Sequence, residues 1–331
     1  MSELRWHPIL EEWVITATLR QDRTFFPPPD YNPLAPTKPG GFPTEIPRAD
    51  YDIVVFENKF PSLQPHPPAP AVSGTDLTPV RPAMGACEVV VYTPQADATL
   101  AELPVEKIEH LVWVWTDRFA SLEARPEIHY IFFFENKGRE IGVTLAHPHG
   151  QIYAYPFVPP RLQTELNAAK KHWDAQGTNL FLDVLRQELE DGRRIVTQNA
   201  SFVATVPFFA RYPYEVHITA RAPGKAALTD FTRAEQRDLA TILKTVLTKY
   251  DNLFGFSLPY IMALHQRPTD GGAYPHYQFH IEFYPPYRTK EKLKYLAGSE
   301  AGAGTYINDT LAEEKAAELR VLEPREQQAF K

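Results

Sequence analysis

The period of the hydrophobic positions changes several times along the chain, and each change marks a predicted element. Residues 5–18 alternate as a hairpin whose second strand is 13–18, and apolar runs at 51–56 and 88–92 read as further strands. After Pro104, the residues Ile108, Leu111, Val112, Trp115, Phe119 and Leu122 keep a helical period. A β-branched and aromatic strand at 129–134 follows, and Glu135-Asn136-Lys137-Gly138 is predicted to turn it back. Residues 161–191 read as helical, with Leu162, Leu166 and Ala169 on one face. Strands are predicted at 203–208 and 215–219. A capping box, Thr232-x-x-Glu235, then opens a helix carrying Leu239, Ile242, Leu243, Val246 and Leu247. Strands at 260–264 and 277–284 come next. The tail from Thr289 is expected to be a helix, a glycine-rich turn over 298–304 and a final helix near 311–322.

The same order of elements occurs twice, with a repeat of about 128 residues. Val54-Val55-Phe56-Glu57-Asn58-Lys59-Phe60-Pro61 aligns with Val206-Pro207-Phe208-Phe209-Ala210-Arg211-Tyr212-Pro213. The strand beginning at Glu88 and its long helix align with the strand beginning at Glu215 and its helix. His147-x-His149-x-Gln151 falls on His276-x-Gln278-x-His280. The pattern predicts two copies of one strand–strand–helix–strand–strand unit, antiparallel in its sheet. The copies differ in chemistry, since the second collects His265, His276, His280 and Glu282.

Chemistry concentrates in Ala146-His147-Pro148-His149-Gly150-Gln151. In a strand His147, His149 and Gln151 share a face, while Pro148 and Gly150 clear bulk from the other. An imidazole on an accessible edge strand can attack phosphorus, and a carboxamide two residues on can hydrogen-bond a phosphoryl oxygen without competing as acid or base. The same two histidines could equally ligate a metal, or only flank a turn. Asn136, Gly142 and Thr144 lie on the preceding loop, where backbone amides can form an anion nest. Arg20 and Arg23, three apart in a polar turn, could grip phosphate or simply be solvated. Glu165, His265, His280 and Glu282 form a mixed N/O set that suits Zn, Fe or Mn.

Composition narrows the setting. At 331 residues two domains are expected, and no run approaches the roughly 18 apolar residues of a membrane span. A net charge of −7 argues against a broad nucleic-acid surface. One cysteine, Cys87, rules out both an internal disulfide and a cysteine-based zinc cluster, and the N-terminus lacks a signal-peptide layout. Together these point to a cytoplasmic enzyme. Of the 32 prolines, 15 fall in residues 24–82, which predicts a long irregular segment that is functional, metal-clamped or wrapped on a partner.

The stretches Phe134-Glu135-Asn136-Lys137-Gly138 and His147-Pro148-His149-Gly150-Gln151 resemble the galactose-1-phosphate uridylyltransferase family of the histidine-triad superfamily. Phe283-Tyr284-Pro285-Pro286 and residues 294–309 support the resemblance, which runs from about residue 6 to about residue 320. It implies an α+β fold: a duplicated histidine-triad-like unit, two antiparallel half-barrel sheets with helices packed on one side, and domains over residues 1–160 and 161–331. It also implies a ping-pong reaction. His149 would take a uridylyl group from UDP-glucose, releasing glucose 1-phosphate, and pass it to galactose 1-phosphate, while Gln151 holds the phosphoryl oxygens.

By the same resemblance, Arg20, Arg23, Asn58, Asn136, Gly142 and Thr144 line the nucleotide and phosphate site. Lys294, Tyr295, Glu300 and Tyr306 fall at the sugar-phosphate end. A homodimer with shared active sites is implied, with no organic cofactor, no nucleic acid and no membrane. Two departures stand out. The usual zinc pair is replaced by Asn32 and Ala35 and the next ligand by Ala96, so no zinc is expected in the first half and His147 is expected to brace the motif by hydrogen bonding. Glu282 stands where the family's metal site (Fe or Zn) has a histidine, and Tyr306 replaces an amide residue. The rival readings are a nucleotide-sugar or dinucleoside-polyphosphate phosphorylase and a non-catalytic nucleotide-binding protein.

Overall fold

A computed structural model of the chain describes residues 2–22 and 31–323. In chain order, β1 (Ser2–His7) and β2 (Glu12–Ala17) form the N-terminal hairpin. After the irregular proline-rich stretch come β3 (Val54–Glu57), β4 (Val80–Pro82), β5 (Ala86–Val91), α1 (Val105–Glu123), β6 (Tyr130–Lys137) and β7 (His149–Tyr155). Then follow α2 (Pro160–Gln176), α3 (Leu180–Asp191), β8 (Ile195–Gln198), β9 (Phe202–Thr205), β10 (Val216–Ala220), α4 (Arg233–Leu253), β11 (Tyr260–His265) and β12 (His280–Tyr284). A small hairpin, β13 (Tyr287–Thr289) with β14 (Lys292–Leu293), and α5 (Ala312–Arg320) complete the described chain.

Nine strands form one antiparallel sheet in the order β3-β5-β7-β6-β11-β12-β10-β9-β8. Read outward from the β6–β11 seam, the two sides carry equivalent strands: β6, β7, β5, β3 on one and β11, β12, β10, β9 on the other. The duplication in the sequence is therefore a near two-fold in space. The two half-sheets fuse edge to edge, from Tyr260↔Lys137 to Leu264↔Phe133, so neither half leaves an open edge at the middle.

Period-two alternation sorts the side chains to two faces. Val90, Phe133 and Ile152 from the first half, with Ile218, Leu264 and Ile281 from the second, join one buried core under α1 and α4. The other face carries His149, Gln151, His217, Thr219, His265, His280 and Glu282, the neighbours of these core residues in the alternation. Over the second half of that face lie α2 and α3, so the helices divide between the two sides of the sheet. The capping box at the start of α4 forms as expected: Glu235 N–H donates to the Thr232 hydroxyl at 3.3 Å and Thr232 N–H to the Glu235 carboxylate at 2.7 Å.

Several expectations change. The helical stretch 161–191 is two helices, because Gly177 caps α2 in the left-handed region (φ 71°) and the Asn179 side chain accepts from the Phe181 and Leu182 amides to start α3. Residues 135–137 extend β6 rather than turning, since β11 offers them ladder partners across the seam. The tail after Thr289 forms the β13–β14 hairpin rather than a helix. β7 is an interior strand, not an edge strand, and begins only at His149. Pro148 stands just before the ladder, where its missing N–H costs nothing and its carbonyl accepts from Tyr92 N at 3.1 Å.

Gly150 shows why the motif is cleared of bulk. A Cβ there would lie 2.2 Å from the Tyr92 hydroxyl and 3.2 Å from the Phe134 carbonyl. Gly150→Ala should therefore cost ~1–3 kcal/mol of stability by overpacking. In urea unfolding, Tyr92→Phe should make that cost smaller in the double variant than in the single one. Equal costs in both backgrounds would mean the hydroxyl is not the obstacle.

Candidate active site

The strand β7 places His149 and Gln151 side by side on the open face, and both line a cavity of about 230 Å³. Arg20, Asn58, Lys59, Phe60 and Thr144 share its wall, with Tyr31, Leu34 and Val89. A second cavity of about 330 Å³ also reaches His149 and is lined by Asn136, Lys137, Thr144 and Pro148. The Arg20 guanidinium is anchored by donating to Ser62 Oγ at 2.9 Å and to the Tyr153 hydroxyl at 2.8 Å. Asn58 Oδ1 accepts from Phe60 N at 2.9 Å, which shapes the turn that presents Lys59. Gly142 ends a short 3-10 turn in the left-handed region (φ 85°) and lines neither cavity. Arg23 lies outside the described residues.

His147 does not share the face of His149. It precedes the strand, turns inward and is 2% exposed. Asn32 Nδ2 donates to its Nδ1 at 3.0 Å, its Nε2–H donates to the Thr93 carbonyl at 2.7 Å, and the Tyr51 hydroxyl lies 3.3 Å from Nε2. Burial pushes the His147 pKa down, the Thr93 hydrogen bond opposing it, which favours the neutral ring that this pattern requires. The backbone carbonyl of His147 in turn accepts from His149 Nδ1 at 2.7 Å. That bond puts the His149 proton on Nδ1 and leaves the lone pair on Nε2. Both ring nitrogens of His147 are thus engaged in hydrogen bonds.

Behind this motif Glu135 is buried at the seam and accepts from the Tyr260 hydroxyl at 3.1 Å and the Tyr92 hydroxyl at 3.3 Å. Burial pushes its carboxyl up to about 7, against the pull of Lys137 and the two tyrosines.

A second constellation occupies the equivalent face of the other half. Glu165, His265, His280 and Glu282 offer ligand atoms all within 4.8 Å of one another, so the group could hold a metal ion. His265 Nδ1 is 3.0 Å from Glu165, and His280 Nε2 is 3.6 Å from Glu282. Glu282 also draws Arg161 (2.5 Å), Arg211 (3.3 Å), His217 (3.4 Å) and the Tyr284 hydroxyl. Burial opposes its ionisation, but His217, His265 and Arg161 overcome it and hold the carboxyl well below the usual range. His276, read with this set in the sequence, packs against Tyr274 instead, and His217 takes its place. The Glu215-x-His217 spacing was the available signal for His217. Three strand spacings separate β7 from β12, or about 14 Å.

The residues expected at the sugar end do not line the His149 cavities within one chain. Lys294 is buried and ion-paired to Glu300 at 3.2 Å, and Tyr306 faces the Arg211 guanidinium at 5.4 Å. Tyr295 is 72% exposed. Sequence reasoning missed Tyr51 and Thr93 as partners of His147, and Arg161 and Arg211 as partners of Glu282.

The chain matches two families end to end: galactose-1-phosphate uridyl transferase, N-terminal domain, over residues 1–159, and the C-terminal domain over residues 165–329. A galactose-1-phosphate uridylyltransferase of Thermotoga maritima is 40% identical over 326 residues, covering 98% of this chain and 99% of that protein. The enzyme of Rattus norvegicus is 33% identical, covering 97% and 88%. A solved uridylyltransferase structure superposes with a TM-score of 0.85 at 35% identity, covering 96% of this chain and 97% of that one. An ADP-glucose phosphorylase from Arabidopsis thaliana shares the fold at 22% identity and a TM-score of 0.72.

The pKa of Glu135 carries a stability prediction. Its folded value of about 7 lies above the ordinary 4.5, so its contribution is full below pH 4.5 and is lost as pH rises through 7. Glu135→Gln should flatten the pH dependence of urea-unfolding stability across that window by removing this carboxyl's own contribution of about 3 kcal/mol. An unchanged slope would show that Glu135 titrates normally.

Proposed function

The chain belongs to the galactose-1-phosphate uridylyltransferase family, and on that premise we infer how its residues carry out the reaction. It is a UDP-glucose—hexose-1-phosphate uridylyltransferase, acting in galactose metabolism. The observation that carries the mechanism is the tautomer of His149. With Nδ1–H bound to the His147 carbonyl, Nε2 attacks the α-phosphorus of UDP-glucose; a P–N bond forms as the P–O bond to glucose 1-phosphate breaks. The imidazole gains positive charge in that step, and the carbonyl dipole at Nδ1–H stabilises it. A phosphate oxygen of galactose 1-phosphate then displaces Nε2 and regenerates the neutral ring. Gln151 donates to a phosphoryl oxygen in both steps and takes no proton. Arg20, Lys59, Asn58, Asn136 and Thr144 supply the donors around the nucleotide, whereas the Gly142 N–H is spent on the Arg139 carbonyl at 2.9 Å.

The same reading divides the chain into residues 1–160, carrying the nucleophile, and 161–331, carrying the metal-type cluster, in a cytoplasmic enzyme. Among the described residues no helix is long and apolar enough to cross a membrane. Lys294, Tyr295, Glu300 and Tyr306 act on the sugar phosphate of a partner subunit in a homodimer, which accounts for their absence from the cavities of their own chain. The cluster Glu165, His265, His280 and Glu282 takes Fe or Zn as a structural ion, and the first half takes none, because His147 is committed to Asn32 and Thr93.

Three outcomes test this. His149→Ala should lower turnover by at least ~10³-fold while UDP-glucose still binds, as loss of a covalent nucleophile does; retention of a tenth of the activity would remove His149 from that role. Mixing inactive His149→Ala and Lys294→Ala chains should recover about a quarter of wild-type activity, because a two-fold dimer regains one intact site per heterodimer; no recovery would contradict shared sites. Elemental analysis should find no more than one metal per chain, lost in His265→Ala with a larger fall in melting temperature than in turnover. Two metals per chain would return a zinc to the first half.

A further inference from the structure

The open face of the second half carries a cavity of about 600 Å³ between α3 and strands β9, β10 and β12. The uridylyl-transfer reaction uses none of it. Its size falls within the ~300–1,000 Å³ usual for small-molecule sites. We propose that this cavity is a second, non-covalent binding site for a phosphate-bearing ring compound of the nucleotide class.

The duplication is the first ground. In the first half, Gln151 and its ladder partner Val89 both line the His149 cavity. In the second half, His280 and its partner Thr219 both line the larger one. The two cavities are thus images of each other across the seam. Arg211, which aligns with Lys59 in the repeat, lines the second as Lys59 lines the first. The position of His149 is taken by Gln278, whose buried amide Nε2 is spent on the Ala220 and Ala222 carbonyls at 2.8 and 2.7 Å. The image keeps a cavity and loses the nucleophile, so binding there is non-covalent.

The lining is the second ground. Phe181, Val184 and Phe209 give an apolar wall for a flat ring, and Phe209 stays 57% exposed despite its size. Arg161 pairs with Glu282 at 2.5 Å and with Glu165 at 3.7 Å, and Arg211 with Glu282 at 3.3 Å and with Glu215 at 3.4 Å, their side chains being 41% and 24% exposed. A guanidinium has five N–H donors in a planar fork, so these contacts leave donors on both side chains, and the remainder fit phosphate oxygens. The other carboxylates on the wall have further partners of their own: Glu188 has Arg194 at 2.6 Å, and Glu165 has His265 at 3.0 Å and the Tyr277 hydroxyl at 3.1 Å beside Arg161.

The ligand class rests on the nucleotide reading of the first cavity, whereas the second site itself does not. Calorimetric titration of the full-length protein with UMP separates the two. Two equivalents per chain are expected. Val184→Trp, which fills the cavity, and the half-exposed Phe209→Ala should each weaken one of them at least tenfold with uridylyl transfer unchanged; Lys59→Glu should weaken the other. One equivalent that only Lys59→Glu removes, or two that survive both Val184→Trp and Phe209→Ala, would overturn the second site. One equivalent removed by Val184→Trp and untouched by Lys59→Glu would support it while overturning the nucleotide reading of the first cavity.

Discussion

In the mechanism we propose, the hydrogen bond from His149 Nδ1 to the carbonyl of His147 sets the direction of the chemistry. It decides which nitrogen holds the lone pair, and it works only if the His147 backbone is fixed. Fixing it is the task of a buried imidazole held at both ends, by Asn32 from the proline-rich segment and by the Thr93 carbonyl just beyond β5. A neutral buried ring with both nitrogens matched carries no desolvated charge and leaves no buried polar group unsatisfied. The long irregular segment thus has a structural role: it carries Asn32 and Tyr51 to the one residue that must not move.

A second constraint is the continuity of the sheet. Because the halves fuse at β6–β11, the core under α1 and α4 is shared, and the opposite face is free to carry polar residues along its whole width. Glu135 lies at this join with Tyr92 and Tyr260, and Tyr92 also closes off the space behind Gly150. Packing at the seam and clearance beside His149 therefore both depend on Tyr92. The two halves then diverged on one face. One keeps an imidazole on the open face at the strand start, and the other buries an amide there and gathers carboxylates, imidazoles and guanidiniums around Glu282.

Much of this was legible in the sequence. The amphipathic spacing of Ile108 to Leu122 and the capping box at Thr232 are local signals, and both formed where the pattern put them. The duplication was legible because four matches recur in order. The interior place of β7 was not, since whether a strand has one neighbour or two is decided by chain far away in sequence. For the same reason Glu135-Asn136-Lys137 read as a turn: its ladder partner is β11, more than a hundred residues on. That His149 and Gln151 share a face followed from their spacing, and His147 was misplaced on that face because Pro148 delays the strand by one step. Arg161 and Arg211 gave no local signal, since they meet on Glu282, which is far from both in sequence.

The central claim is that His149 Nε2 becomes covalently uridylylated. Intact mass of the protein incubated with UDP-glucose and no acceptor tests it most directly. The account predicts a gain of one uridylyl group per chain, discharged by galactose 1-phosphate and absent in His149→Ala. A protein that turns over both substrates yet never carries the adduct, or carries it equally in His149→Ala, would contradict it.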